Sequence, residues 1–148
     1  MDTYLNVPQL PHTGKTVITS TSSVYPGGKG INQAIGASRL GHRVTLIGNV
    51  GSDLDSDNIY RALNENGVET HGVKRCLQTD TGKAYIFVDS NGDSMISILT
   101  GANGIFTPQD ICEKEHLFEN TGYCLIQSEI PLDTMREACR MAHKYHAK

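Results

Sequence analysis

Short apolar runs alternate with helix-period segments along most of this chain. Val44-Thr45-Leu46-Ile47-Gly48-Asn49-Val50 and Tyr123-Cys124-Leu125-Ile126 read as short, buried strands. Around them, apolar residues recur three or four positions apart. The spacing predicts a helix from about Asn32 to Leu40, ended by Gly41. A second helix is predicted from Leu54 to Asn66, with Ser52 or Asp53 as N-cap and Gly67 as terminator. The last, about Leu132 to Tyr145, sets Leu132, Met135, Cys139 and Ala142 on one face. Thr107-Pro108-Gln109-Asp110 opens a further helix, with a capping hydroxyl, a proline in the first turn and then an acid. This rhythm predicts an α/β fold with a doubly wound, mostly parallel sheet.

Other segments are β-rich without an intervening helix. Val17 to Tyr25 predicts one or two strands, and Thr70 to Leu77 another. Lys83–Asp89 and Ser94–Leu99 flank Ser90-Asn91-Gly92-Asp93, and Asn-Gly between two such runs predicts a hairpin. Its apolar residues Tyr85, Phe87, Ile96 and Ile98 need a core or a partner to cover them. Tyr123–Ile126 is predicted as a central strand, with Glu129 just past its C-terminal end.

The 148 residues fit one domain, and a net charge of −3 without basic clusters excludes a nucleic-acid footprint. No run approaches the roughly 18 apolar residues that cross a bilayer. The N-terminus has no signal-peptide pattern, so a cytoplasmic location is expected. Cys76, Cys112, Cys124 and Cys139 are widely spaced and read as reduced thiols. Cys139, His143 and His146, or Cys112 and His116, have helical spacing, but amphipathic helix positions account for them and no metal site is assigned. Gly14-Lys15-Thr16 resembles the end of a phosphate loop. Gln9 stands where that loop needs glycine, so the triplet reads as chance.

The richest chemistry lies in Gly27-Gly28-Lys29-Gly30-Ile31-Asn32-Gln33-Ala34. Glycines let backbone approach a ligand closely, and the helix start behind them offers unpaired N–H groups and partial positive charge. Such a corner holds hydroxyls or phosphate. With Gly41, Gly51, Gly101-Ala102-Asn103 and Gln127-Ser128-Glu129-Ile130-Pro131 in order behind it, the chain resembles the ribokinase-like (phosphofructokinase B type) sugar kinases. The wording of the corner is nearest the ribokinase branch of that family.

That resemblance implies ATP-dependent phosphorylation of a pentose hydroxyl, ribose first, with ATP, Mg²⁺ and K⁺ serving the whole enzyme. It implies that Asp2, Gly28, Lys29, Gly30, Asn32 and Glu129 bind the sugar. As the second residue of the chain, Asp2 is expected to fray. Residues 16–25 and 83–100 become lid strands over the sugar, and paired lids make a homodimer. The family's Asp-Thr-x-Gly-Ala-Gly-Asp string, whose last residue is the catalytic base, does not occur here; Asp53-Leu54-Asp55 and Gly92-Asp93 are the nearest strings. The family's opening strand and its Asn-x-Asp asparagine have no counterpart before Met1-Asp2. The expectation is therefore the sugar-holding N-terminal half of a kinase, inactive alone. The alternatives are a non-catalytic sugar-binding or dimerising module and the remnant of a disrupted kinase gene.

Overall fold

The hairpin at Asn91-Gly92 forms one flank of a four-stranded sheet. The computed structural model describes residues 1–148. Its strands are β1 (Asp2–Asn6), β2 (Thr21–Tyr25), β3 (Gly48–Val50), β4 (Val73–Arg75), β5 (Lys83–Val88) and β6 (Ser94–Leu99). Its α-helices are α1 (Lys29–Arg39), α2 (Leu54–Glu65), α3 (Pro108–Cys112) and α4 (Leu132–Lys144), with 3₁₀ turns at Gly101–Ile105 and Glu115–Phe118.

The larger sheet has the order β2-β1-β5-β6. β1 runs parallel to β5, with Asp2 opposite Ala84, while β2 and β6 flank them antiparallel. At the hairpin tip, Gly92 takes φ +86°, and Asp89 and Asp93 close the turn through Asp89 N–H to Asp93 C=O (3.0 Å). The smaller sheet pairs β3 with β4 in parallel, extended by a bridge from Thr45 to Glu69.

The predicted α/β class holds, but three strand expectations change. Val17–Ser20 forms no strand, and only Thr21–Tyr25 pairs. Asp2 does not fray: it opens β1, which is paired on both sides. Tyr123–Ile126 belongs to no sheet, because no neighbouring strand offers its backbone a ladder.

α2 and α3 follow their local chemistry closely, whereas α4 buries Thr134, Ala138, Met141 and Ala142 and leaves Leu132 and Cys139 of the predicted face exposed. Asp53 caps α2 by accepting from Ser56 N–H at 3.0 Å, and Gly67 ends that helix region at φ +70°. Thr107 and Asp110 form a reciprocal capping box on α3. Two apolar clusters hold these pieces: Met1, Ala34, Val50, Ile59, Leu63 and Val68 between α1, α2 and β3, and Phe106, Ile111, Phe118, Ala138 and Met141 beneath α4.

Asp110 also ties the clusters together. It is buried, accepts from Thr107, and receives Lys74 Nζ of β4 at 2.5 Å. Burial pushes this carboxyl up, but Lys74 and the Thr107 donors outweigh it and leave the pKa at about 2. A depressed folded-state pKa stabilises the fold above the ordinary carboxylate value and ceases to do so as pH falls through the folded one. Wild-type stability should therefore fall by about 2 kcal/mol between pH 5 and pH 2 from this group. Urea denaturation of Asp110→Asn checks this: the variant should be less stable at pH 7 and should lose less on acidification.

Candidate functional site

A glycine in the left-handed region begins the site. Gly28 precedes α1 at φ +101°, a backbone conformation strained for any L side chain, and no local side chain caps the helix. The cap comes instead from the far end of the chain. Glu129 Oε2 accepts the Lys29 backbone N–H at 3.2 Å, and Oε1 accepts Lys29 Nζ at 2.5 Å. Hydrogen bonding to Glu129 and its charge raise the Lys29 pKa. The carboxylate thus sits where the helix dipole favours negative charge. Lys29 remains 63% exposed and Glu129 29%, so solvent and ligand reach both.

Asp2 meets the same corner from β1. A Cβ at Gly27 would overlap the Asp2 carboxylate, so glycine is what lets the loop lie against it. Asp2, Gly27, Gly28, Gly82, Ala84, Ile98, Thr100, Asn103, Ser128 and Glu129 line a cleft of ≈ 520 Å³. Of the six residues assigned from sequence, Asp2, Gly28 and Glu129 line this cleft, and Lys29 joins it through its bond to Glu129. Gly30 instead borders a larger, adjoining cleft. Asn32 is exposed on the first turn of α1 and borders neither.

The floor of the cleft was not legible as a site. Gly82 packs against the second loop so closely that a Cβ would lie 2.8 Å from Thr100 C=O and 3.0 Å from the Asn103 amide nitrogen. Ala84 and Ile98 add an apolar wall from the β5–β6 hairpin. The Gly101-Ala102-Asn103 string marks this loop in the sequence, but only the fold brings it beside Gly82.

A hydrogen-bond network fixes that floor. Asp53 Oδ1 accepts from Thr81 Oγ1 (2.6 Å) and Oδ2 from Thr81 N–H (2.9 Å), while Gly51 N–H donates to Thr81 Oγ1 (3.0 Å). The Met1 ammonium donates to Gly82 C=O at 2.9 Å. Burial pushes the Asp53 carboxyl up, but the Thr81 and Ser56 donors and the Lys83 charge together hold it below its ordinary value. A carboxylate so occupied is a cap and a brace, not a base. Asp55 is paired with Lys83 at 3.0 Å, and Asp93 lies at the exposed hairpin tip.

Gly14-Lys15-Thr16 sits in an exposed turn before β2, not at a helix start, and no three His, Cys, Asp or Glu side chains converge as metal ligands. What the cleft offers is two carboxylates, a lysine, helix-start N–H groups and an amide around an apolar wall. Separated acceptors and donors of this kind suit the hydroxyls of a small polyol, while Ala84 and Ile98 suit its C–H face.

No helix is long and apolar enough to cross a membrane. Comparison with known proteins identifies the family. The pfkB family of carbohydrate kinases matches residues 1–147. The chain is 36% identical over 145 residues to a ribokinase of Bacillus subtilis, covering 98% of this chain and 49% of that protein. A deoxyribokinase of Salmonella typhi is 34% identical, with 97% of this chain and 46% of that protein covered. The fold superposes on a structure of Arabidopsis thaliana ribokinase complexed with ribose and ATP at TM-score 0.86 and 29% identity, covering 99% of this chain and 48% of that one. The chain spans about half the length of the curated relatives it matches. The fold is that of the ribokinases, and the chain belongs to the pfkB family of carbohydrate kinases.

Proposed function

We propose that this chain is the sugar-holding half of a cytoplasmic, ribokinase-like kinase, and that it binds ribose or a closely related pentose between Gly28, Lys29, Glu129 and Asp2. The carrying observation is that Glu129 already bridges the Lys29 N–H and ammonium across the cleft, 100 residues away in sequence. A vicinal pair of hydroxyls can replace this bridge, donating to the carboxylate and accepting from the lysine and helix N–H groups. Gly30 and Asn32 join on the family resemblance, from the same helical turn.

The four-stranded sheet acts as the lid, with Ile98 facing the sugar. Val24, Ile96 and Leu99 are exposed on it, which suits pairing of two lids into a homodimer. Phosphoryl transfer needs a base for the hydroxyl proton and donors for phosphate charge. Asp53 and Asp55, the acidic string nearest to the family's base motif, are engaged by Thr81 and Lys83. The isolated polypeptide is therefore a binding module that does not turn over.

Calorimetric titration with ribose, run beside a coupled ADP-release assay with ribose, ATP, Mg²⁺ and K⁺, tests both parts. The expected result is saturable heat with one site per chain and no ADP above the protein-free rate. Absence of heat from the folded chain would overturn the binding site, and sustained ADP release would overturn the claim of inactivity.

A further inference from the structure

Two cross-links, not one, join the start of α1 to the segment that carries Glu129. The first is the bridge from Glu129 to the Lys29 N–H and ammonium. The second lies one turn further along α1, where Gln33 Oε1 accepts Gln127 Nε2–H at 2.7 Å across 94 residues of sequence. Lys29 and Gln33 are four positions apart in one helix, so they share a face. No other hydrogen bond joins α1 to residues 127–131. Apolar packing divides the two segments. Ile31, Ala34 and Ile35 belong to the cluster around Val50 and Leu63, whereas Cys124, Ile126 and Ile130 pack into the cluster around Phe106 and Met141. The two halves of the corner are thus carried by separate cores, and polar side chains fix their spacing.

The cross-links differ in what can break them. The Glu129 carboxylate lines the ≈ 520 Å³ cleft, where ligand hydroxyls compete with Lys29 for it. Gln33 and Gln127 take no part in that lining, and their amides carry no charge and no titrating proton. A ligand in the cleft can therefore open the first cross-link while leaving the second closed.

We infer, resting on the sugar site proposed above, that Gln33 and Gln127 are positioning residues, whose amide pair holds the two halves of the corner at binding distance after a sugar has parted Lys29 from Glu129. In the free protein either cross-link suffices, so loss of the amide pair leaves the corner in place. In the complex the amide pair stands alone, and without it the ligand must order both segments itself. The pair contributes to affinity rather than to folding, without touching the ligand.

Ribose titration followed by NMR compares wild type with Gln33→Ala, Gln127→Ala and the double variant. Each single variant should bind ribose about five- to tenfold more weakly, the worth of one lost hydrogen bond, with an unchanged melting temperature. The double variant should bind no more weakly than either single one, because both substitutions remove the same bond. A second arm needs no sugar. Glu129→Ala removes the first cross-link, and ¹⁵N relaxation of Gly28, Lys29, Ser128 and Ile130 then reports whether the second one holds. Order parameters should stay near about 0.85 in Glu129→Ala and fall below about 0.6 once Gln33→Ala is added. Single variants that bind ribose as wild type does, losses that add in the double variant, or corner order that survives the removal of both cross-links would overturn the inference. If wild type binds no ribose while the second arm behaves as expected, the sugar site is overturned and the positioning of the corner by the amide pair is upheld.

Discussion

Replacing Gly51 by alanine should unfold this protein or cost at least about 3 kcal/mol. Gly51 is buried, and a Cβ there would lie 2.6 Å from Thr79 C=O and still closer to Asp80 C and Thr81 N. All of these are backbone atoms. They cannot swing aside as a side-chain tip does, and Thr81 is braced twice by Asp53. Relief would require pulling the 79–82 loop away from β3, which breaks the Gly51 N–H bond to Thr81 and lifts Gly82 from the cleft floor. Gly36 is the control, because a Cβ there meets nothing within 4 Å and lies within α1. Gly36→Ala should stabilise by about 0.5–1 kcal/mol through helix propensity alone. Urea denaturation at pH 7 separates the two: a cooperative transition for Gly51→Ala close to wild type would contradict the packing described.

Where structure rests on neighbours in sequence, it was legible. The Asn91-Gly92 turn, the cap on α2 (Asp53, one of the two residues expected) and the helix start at Thr107–Asp110 all consist of residues within four positions of one another, and each formed where expected. Where structure rests on remote partners, reading failed in characteristic ways. α1 begins at Lys29 rather than Asn32 because Glu129, 100 residues on, supplies the missing cap. Tyr123–Ile126 has strand composition, yet a strand exists only when another edge completes its hydrogen bonds.

β1 shows the converse. Asp2-Thr3-Tyr4-Leu5-Asn6 carries little apolar signal, but pairing on both sides outweighs composition. The candidate site divides similarly. Lys29, Gly28 and Glu129 announce themselves as residue types in a pattern, whereas Gly82 and Ala84 enter only through loop packing.

Removing the Glu129 carboxylate should lower ribose affinity on the order of 100-fold while costing the fold only about 1 kcal/mol, the loss of the cap on the Lys29 N–H. The two effects part company for a physical reason. Lys29 is mostly in solvent, so its ion pair with Glu129 contributes little to folding. In the complex, the same carboxylate would accept from ligand hydroxyls inside the cleft, and charge-assisted bonds there are roughly twice as strong as neutral ones. A purely structural role for Glu129 predicts the opposite pattern, with stability falling and ligand affinity unaffected in the folded fraction. Glu129→Gln should retain more affinity than Glu129→Ala, since its amide oxygen still accepts one hydroxyl.

The decisive measurement is an amide-resolved NMR titration of wild type and Glu129→Ala with ribose. The expected outcome is saturable movement of the Gly27, Gly28, Lys29, Gly30, Asp2 and Glu129 signals in wild type, shifted to about 100-fold higher ribose in the variant. Signals that stay fixed at the corner, or that move equally in both proteins, would contradict a sugar held between the start of α1 and that carboxylate.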